Sequence, residues 1–247
     1  MGKPSQERII RKLDLERFLS EVEINPSPQA SLEQYTISER VAADMLYLAA
    51  YGHGDIVGKM VLDLGCGTGR LALGAAFLGA KMVVGIDVDR VAVTLASENA
   101  EKKGLSPRTD WIAGDVAAIA GKFDTVLQNP PFGVQKRGAD RKFLEKALEV
   151  GSSVYSLHSH PTTDKQLIQR LKSAHGDLLR VQPAPFIENF VEERGSVVSA
   201  VYALLMTIPH MFDFHKKLRH DIVVDLYVIR SKGSQYTKIY FENQKVY

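Results

Sequence analysis

Met60-Val61-Leu62-Asp63-Leu64-Gly65-Cys66-Gly67-Thr68-Gly69 is the stretch that decides the fold. Its apolar start reads as a short strand, Met60 to Leu64. The three glycines read as a turn into a helix where the backbone can approach a ligand closely. Leu71 to Leu78 supplies that helix. The alternation then repeats, with strand Met82 to Asp87, helix Val91 to Lys103, strand Asp110 to Ala113, strand Phe123 to Gln128, helix Phe143 to Val150 and strand Ser153 to Leu157. Strands separated by helix-length segments imply right-handed crossovers and a mostly parallel sheet covered on both faces. Val197 to Ile208 and Ile222 to Ile229 are β-rich and separated by a basic loop, so they read as antiparallel strands closing one edge. The fold class expected is α/β, with a mostly parallel seven-stranded sheet and an antiparallel C-terminal edge.

Working outward, the first 20 residues read as a charged helix with Ile9, Ile10, Leu13 and Phe18 on one face. After the Pro-containing connection Asn25 to Pro28, Ser38 reads as the N-cap of an amphipathic helix carrying Val41, Ala42, Met45, Leu46 and Leu48. The expected organisation is one domain over residues 1–247. It has a helical extension at 1–50, a core at 51–160 and 195–230, and an insertion or cover at 161–194 with a helix at Lys165 to Ser173.

Composition narrows the class. The 247 residues are 45% hydrophobic and 24% charged, an ordinary globular balance. A chain of this length buries roughly 70% of its unfolded surface, enough to fold without disulfide or metal. The single cysteine, Cys66, excludes an internal disulfide framework and a Cys-rich zinc module, and reads as a small packed residue. No run reaches the roughly 18 apolar residues of a membrane span, and Met1 to Arg40 holds no apolar leader, so the expectation is a cytoplasmic, reducing compartment. The net charge of +2 demands no particular partner. Two local basic clusters stand out, one from Lys136 to Lys142 and one from His215 to His220.

The glycine turn lies at the carboxyl edge of the sheet, where α/β proteins bind small molecules. The next strand ends in Asp87, whose carboxylate can accept two hydrogen bonds from a ribose diol. The G-x-G-x-G spacing lacks the third-glycine offset of a dinucleotide fingerprint, and no G-x-x-x-x-G-K-[ST] loop occurs. At the same edge, strand Phe123 to Gln128 stops at Asn129-Pro130-Pro131-Phe132, because two prolines cannot continue a ladder. A planar exocyclic amine is a poor nucleophile, since its lone pair is delocalised. The Asn129 side-chain oxygen and the Pro130 carbonyl can grip its two N–H bonds and pull the nitrogen towards tetrahedral geometry. Phe132 can stack on the planar substrate. Such a site works by positioning and aligned dipoles and needs no general base at the start.

Asp63 to Gly69 resembles motif I of class I S-adenosylmethionine-dependent methyltransferases, a Rossmann-like family. Asn129 to Phe132 resembles the (Asn/Asp/Ser)-Pro-Pro-(Phe/Tyr/Trp) signature of amino-methyltransferases, which act on adenine N6, cytosine N4 or protein glutamine. The resemblance implies S-adenosyl-L-methionine as methyl donor, held by Asp63, Gly65, Gly67, Thr68 and Gly69. Asp87 would then sit on the ribose, with Asp115 and Val116 of Gly114-Asp115-Val116 beside the adenine. Leu32-Glu33-Gln34-Tyr35, Val154-Tyr155-Ser156-Leu157-His158 and Phe214-His215-Lys216-Lys217, taken together, resemble the methyltransferase-like 5 family, which N6-methylates one adenosine in small-subunit ribosomal RNA. That resemblance implies Gln34 near the donor and Phe214, His215, Lys216 and Lys217 beside the RNA path. It also implies a small zinc-ribbon activator subunit paired with the sheet, for which Met82 to Ile86 is an apolar edge candidate. This chain has Thr36-Ile37 where the family has Pro-Thr, and Thr68 where members often have Cys.

An adenine inside a duplex cannot reach a sulfonium, so the substrate would be a loop or an extruded nucleotide, with Lys136, Arg137, Lys216 and Lys217 on phosphates. Two other readings share these residues. One is a glutamine methyltransferase of release factors, against which Phe132 in place of the usual Tyr and the Phe-His-Lys-Lys loop weigh. The other is a catalytically silent RNA-binding scaffold, against which the intact Asn129 and Asp87 weigh. His158 and His160 share a strand face, but no acids or cysteines at ligand spacing accompany them, so no metal is expected. Trp111 reads as core or adenine-adjacent packing.

Overall fold

A computed structural model describes residues 9–29, 32–34, 36–132, 138–161, 165–173, 178–209 and 219–232. Five strands follow one another along the chain: β1 Met60–Leu64, β2 Met82–Asp87, β3 Thr109–Ala113, β4 Phe123–Gln128 and β5 Gly151–Ser159. They pair in parallel in the order β3-β2-β1-β4-β5. The chain order reverses at β1, which has β2 on one side and β4 on the other. Such a switch point leaves a crevice at the carboxyl ends of the strands.

Alternation in β1 serves two cores. Val61 faces the helices α1 Lys12–Ser20, α2 Glu39–Tyr47 and α3 Arg70–Phe77, whereas Leu62 and Leu64 face α5 Ala139–Val150 on the opposite side. Between β2 and β3 runs α4 Arg90–Lys102, whose Ala100 packs with Leu73 and Val22. Ser38 caps α2 as expected, its hydroxyl accepting from the Val41 N–H at 3.3 Å. The N-terminal helix is tied down by a stack of Phe18 on Phe77, with ring centroids 4.1 Å apart.

Beyond β5 the sheet turns antiparallel, and here the structure departs from the expectation. It has eight strands rather than seven, with β6 Leu179–Arg180, β7 Ser196–Pro209 and β8 Arg219–Ser231 adding the order β5-β8-β7-β6. Strand β6 lies within the 161–194 segment, and two residues cannot carry a period-two signal. That segment also holds α7 Pro185–Glu193 after the expected α6 Lys165–Ser173. Pro185, which reads as an interruption, opens α7, because proline at the first helical position loses no hydrogen bond. A further correction concerns Met82 to Ile86. Strand β2 lies between β1 and β3, so it is interior and offers no edge; β3 is the terminal strand on that side. A buried strand and an apolar edge strand look alike in sequence.

Candidate active site

Gly65, Gly67 and Gly69 all have positive φ, between 52° and 88°, which explains the spacing of glycines. The Gly65 and Cys66 N–H groups both donate to the Ile86 carbonyl, at 2.8 and 3.0 Å, fastening the turn to β2. A Cβ on Gly69 would lie 2.6 Å from the Trp111 ring, whereas a Cβ on Gly67 would meet nothing within 4 Å. Trp111 is thus packing against the back of the turn, and the front of the turn is open. The Cys66 thiol is buried and its pKa is pushed well above the usual range by that burial, so it is no nucleophile.

Asp87 is held by the loops around it. Its Oδ2 accepts from the Gly67 N–H at 2.8 Å and its Oδ1 from the Asp89 N–H at 2.9 Å. Each oxygen keeps a lone pair for a further donor, which suits a diol. Burial raises its pKa, and the backbone N–H groups oppose that rise. Asp63 is more deeply buried, at 1% exposure; its Oδ2 accepts from the Ala72 N–H at 2.9 Å and its Oδ1 has no partner. Burial pushes its pKa up to about 7.

These groups line a cavity of about 450 Å³ that also takes in Gly65, Gly67 and Thr68. From the ends of β2 and β3 come Asp87, Asp115 and Val116. Asp115 caps a single 3-10 turn, accepting from the Ala117 N–H at 2.8 Å, and pairs with Lys142 Nζ at 2.7 Å. The segment before α2 contributes Gln34, whose Nε2 donates to Asp89 Oδ2 at 2.8 Å and whose Oε1 accepts from the Gln29 N–H at 2.7 Å. Thr36 lines the same wall. From β4 come Asn129 and Pro131; the register Leu64↔Gln128 sets Asn129 level with Gly65.

Three expected site residues stand outside the wall. Gly69 faces Trp111, Pro130 is buried, and Phe132 is half-buried against the core. Lys136, Arg137, Phe214, His215, Lys216 and Lys217 lie outside the described residues. Sequence reasoning missed Glu33, Arg70, Lys142 and Phe143, which also line the cavity. Glu33 is the one non-glycine residue with positive φ (50°) among those described, and no local pattern marks it. Lys142 ends the basic stretch and Phe143 follows it, on the first turns of α5, where only the crossover geometry brings them back to the turn.

His158 is buried, with Nε2 2.8 Å from Ser156 Oγ, and burial drops its pKa to about 4, so it is neutral. His160 Nδ1 lies 2.9 Å from Asp225. Among the described residues no three His, Cys, Asp or Glu side chains gather as a metal site, and no helix is long and apolar enough to cross a membrane.

The cavity fits S-adenosyl-L-methionine on its own chemistry. A carboxylate at the end of β2 is poised for the ribose, the glycine turn is open in front, and a partnerless buried carboxyl oxygen on Asp63 suits a cationic ligand. When bound, the donor supplies an electrophilic methyl group on a sulfonium. The model of the ribosomal protein L11 methyltransferase (PrmA) family matches residues 45–130, from within α2 to the tetrapeptide. The rRNA N6-adenosine-methyltransferase METTL5 of Danio rerio is 36% identical over 218 residues, 86% of this chain and 95% of that one. Mettl5 of Drosophila melanogaster, named for the same activity, is 36% identical over 220 residues, 86% of this chain and 93% of its own. The crystal structure of a presumed RNA methyltransferase from Pyrococcus horikoshii superposes with a TM-score of 0.74 at 37% identity, covering 91% of this chain and 99% of that one. Glycine turn, strand-end carboxylate, tetrapeptide and likeness over most of the chain agree: the chain belongs to the methyltransferase-like 5 family of rRNA N6-adenosine-methyltransferases, whose methyl donor is S-adenosyl-L-methionine.

Proposed function

We propose that this chain transfers the donor's methyl group to N6 of an adenosine in structured RNA, with small-subunit ribosomal RNA as the substrate class. The observation that carries this reading is the placement of Asn129 in the wall of the cavity that Asp87 and the glycine turn also line. Acceptors at the Asn129 side chain and the Pro130 carbonyl would hold both N–H bonds of the adenine amine and turn its lone pair towards the methyl carbon. The C–N bond then forms as the C–S bond breaks, sulfur keeps the electron pair, and the methylated nitrogen loses its proton afterwards. Positioning and dipoles supply most of such a rate enhancement. Lys136, Arg137 and the Phe214 to Lys217 loop are the groups proposed for the RNA backbone and the bases beside the target. A strand-adding activator subunit would meet the terminal strand β3.

The test is methyl transfer from labelled donor to small-subunit RNA lacking the modification, with release factor in parallel and products read by mass spectrometry. N6-methyladenosine at one site is the expected product. Label on protein glutamine would move the substrate to protein, and donor binding without transfer to either substrate, with and without cell extract, would overturn the enzymatic reading. Asn129→Ala should cut turnover by about 100-fold or more while leaving donor affinity within about twofold. Surviving turnover would sink the amine-gripping mechanism.

A further inference from the structure

Arg70 opens α3 directly after the glycine turn and lines the donor cavity. It is 8% exposed, and no other lysine or arginine among the described residues is buried to that degree. Its Nη1 donates to the Ile37 carbonyl at 2.6 Å. The Nε–H is buried without a partner, and the ion pair with Glu39 spans 3.9 Å to a half-exposed carboxylate. A guanidinium carries five N–H donors and a full charge, and burying it without a close anion is costly. The desolvation shows as a pKa lowered from the usual arginine value. Among the described residues only Glu39, at 3.9 Å and half-exposed, faces this charge, yet it sits in the wall of a ligand cavity.

The strand order states which part of the donor comes near it. Strands β2, β1 and β4 are adjacent in that order, so a donor with its ribose on Asp87 and its methyl group towards Asn129 crosses the end of β1. Arg70 begins the helix that leaves that end. The portion of the donor still without a protein partner is the amino-acid end, which carries a carboxylate. We propose that Arg70 binds the α-carboxylate of the methionyl end of S-adenosyl-L-methionine. A planar guanidinium matches a carboxylate in two parallel hydrogen bonds, which a lysine in the same place does not reproduce. The bond from Nη1 to Ile37 further couples the carboxylate site to the segment that carries Gln34 and Thr36.

The experiment is calorimetric titration of wild type, Arg70→Met and Arg70→Lys with four ligands, without RNA. S-adenosyl-L-methionine and S-adenosylhomocysteine carry the carboxylate. Decarboxylated S-adenosylmethionine keeps the ammonium and sulfonium without it, and 5′-methylthioadenosine lacks the whole amino-acid end. In the Met variant the first two should weaken at least tenfold while the last two stay within twofold of wild type, with the Lys variant intermediate. A parallel fall for all four ligands would make Arg70 a structural residue, and no fall for the first two would remove it from the site; both results overturn the proposal. Should the Met variant fail to fold, the same ratios in the Lys variant decide. Decarboxylated donor binding wild type as tightly as the intact donor also overturns it. None of these readings depends on which substrate receives the methyl group.

Discussion

If Asp63 faces the bound donor, as its place in the cavity wall suggests, it should couple donor binding to pH. The folded carboxyl titrates at about 7, against about 4 in an unfolded chain, because burial and the nearby Asp87 both disfavour its charge. The unfolded state gives up this proton first, so Asp63 makes the empty protein lose stability as pH rises from about 4 to about 7. A ligand carrying a sulfonium and an ammonium favours the ionised form, and binding therefore expels the proton. Donor affinity should rise with pH up to about 7, by at most about tenfold per unit, and flatten above it. Asp63→Asn should abolish that slope. Calorimetry in buffers of different ionisation enthalpy would show proton release near pH 6, and a wild-type affinity flat from about pH 5.5 to 7.5 would contradict the assignment. Asp63, Asp87 and Asn129 were legible in the sequence because each ends a strand or stands in a spaced motif. Arg70 was not, although it adjoins the motif: nothing in one sequence says that a residue at a helix start is buried without an anion.

At the level of elements, legibility followed the length of the signal. The five parallel strands and the helices from α2 to α5 carry runs of apolar residues on a clear period, and the structure reproduces them to within a few residues; α1 differs, starting at Lys12 with Ile9 and Leu13 exposed and Leu15 and Leu19 buried. The two-residue β6 and the Pro-opened α7 fall below that limit, and whether a strand is interior or terminal is a property of the sheet rather than of the strand. Glycine inside a strand is another such case. A Cβ on Gly85 of β2 would lie 2.6 Å from the Trp111 ring of β3. Gly85→Ala should cost about 1–3 kcal/mol through overpacking, and Trp111→Leu in the same chain should restore part of it, as read from denaturation midpoints. Strand β5 brings a pH effect of its own. His158 titrates at about 4 when folded and near 6.5 when unfolded. The unfolded state therefore binds the extra proton first, and stability falls as pH drops from about 6.5 to about 4, by about 3 kcal/mol in all. His158→Gln should be less stable than wild type at pH 7 yet lose less on going to pH 4.5; equal losses would show that His158 is not held neutral.

Over the whole molecule, the antiparallel edge reaches past the rest of the sheet. Ser159, the last residue of β5, pairs with Val224, whereas β8 begins at Arg219, paired with Pro209 of β7. Arg219 to Ile222 thus have β7 as their strand partner and extend about 14 Å beyond β5, at about 3.4 Å per residue. Since β8 runs antiparallel to β5, this overhang lies at the carboxyl edge, the edge that carries Asn129 and the donor cavity. Two antiparallel strands joined by a basic loop were legible in the sequence, but their register against β5 was not, because both strands are long apolar runs compatible with several alignments. The described ends of this segment, Pro209 and Arg219, therefore both lie at the carboxyl edge. If Lys216 and Lys217 neutralise phosphates, reversing both to Glu should weaken RNA binding and reduce the slope of log affinity against log salt by about 1–2, since each phosphate contact contributes about 0.7–0.9. Donor affinity should not change. Lys81, exposed at the start of β2 on the opposite edge, supplies the control: Lys81→Glu alters net charge without touching the catalytic side and should leave the slope as it is. A slope change in the control half as large as that of the double reversal would show that RNA senses only the overall charge, and Lys216 and Lys217 would then have no part in holding the substrate.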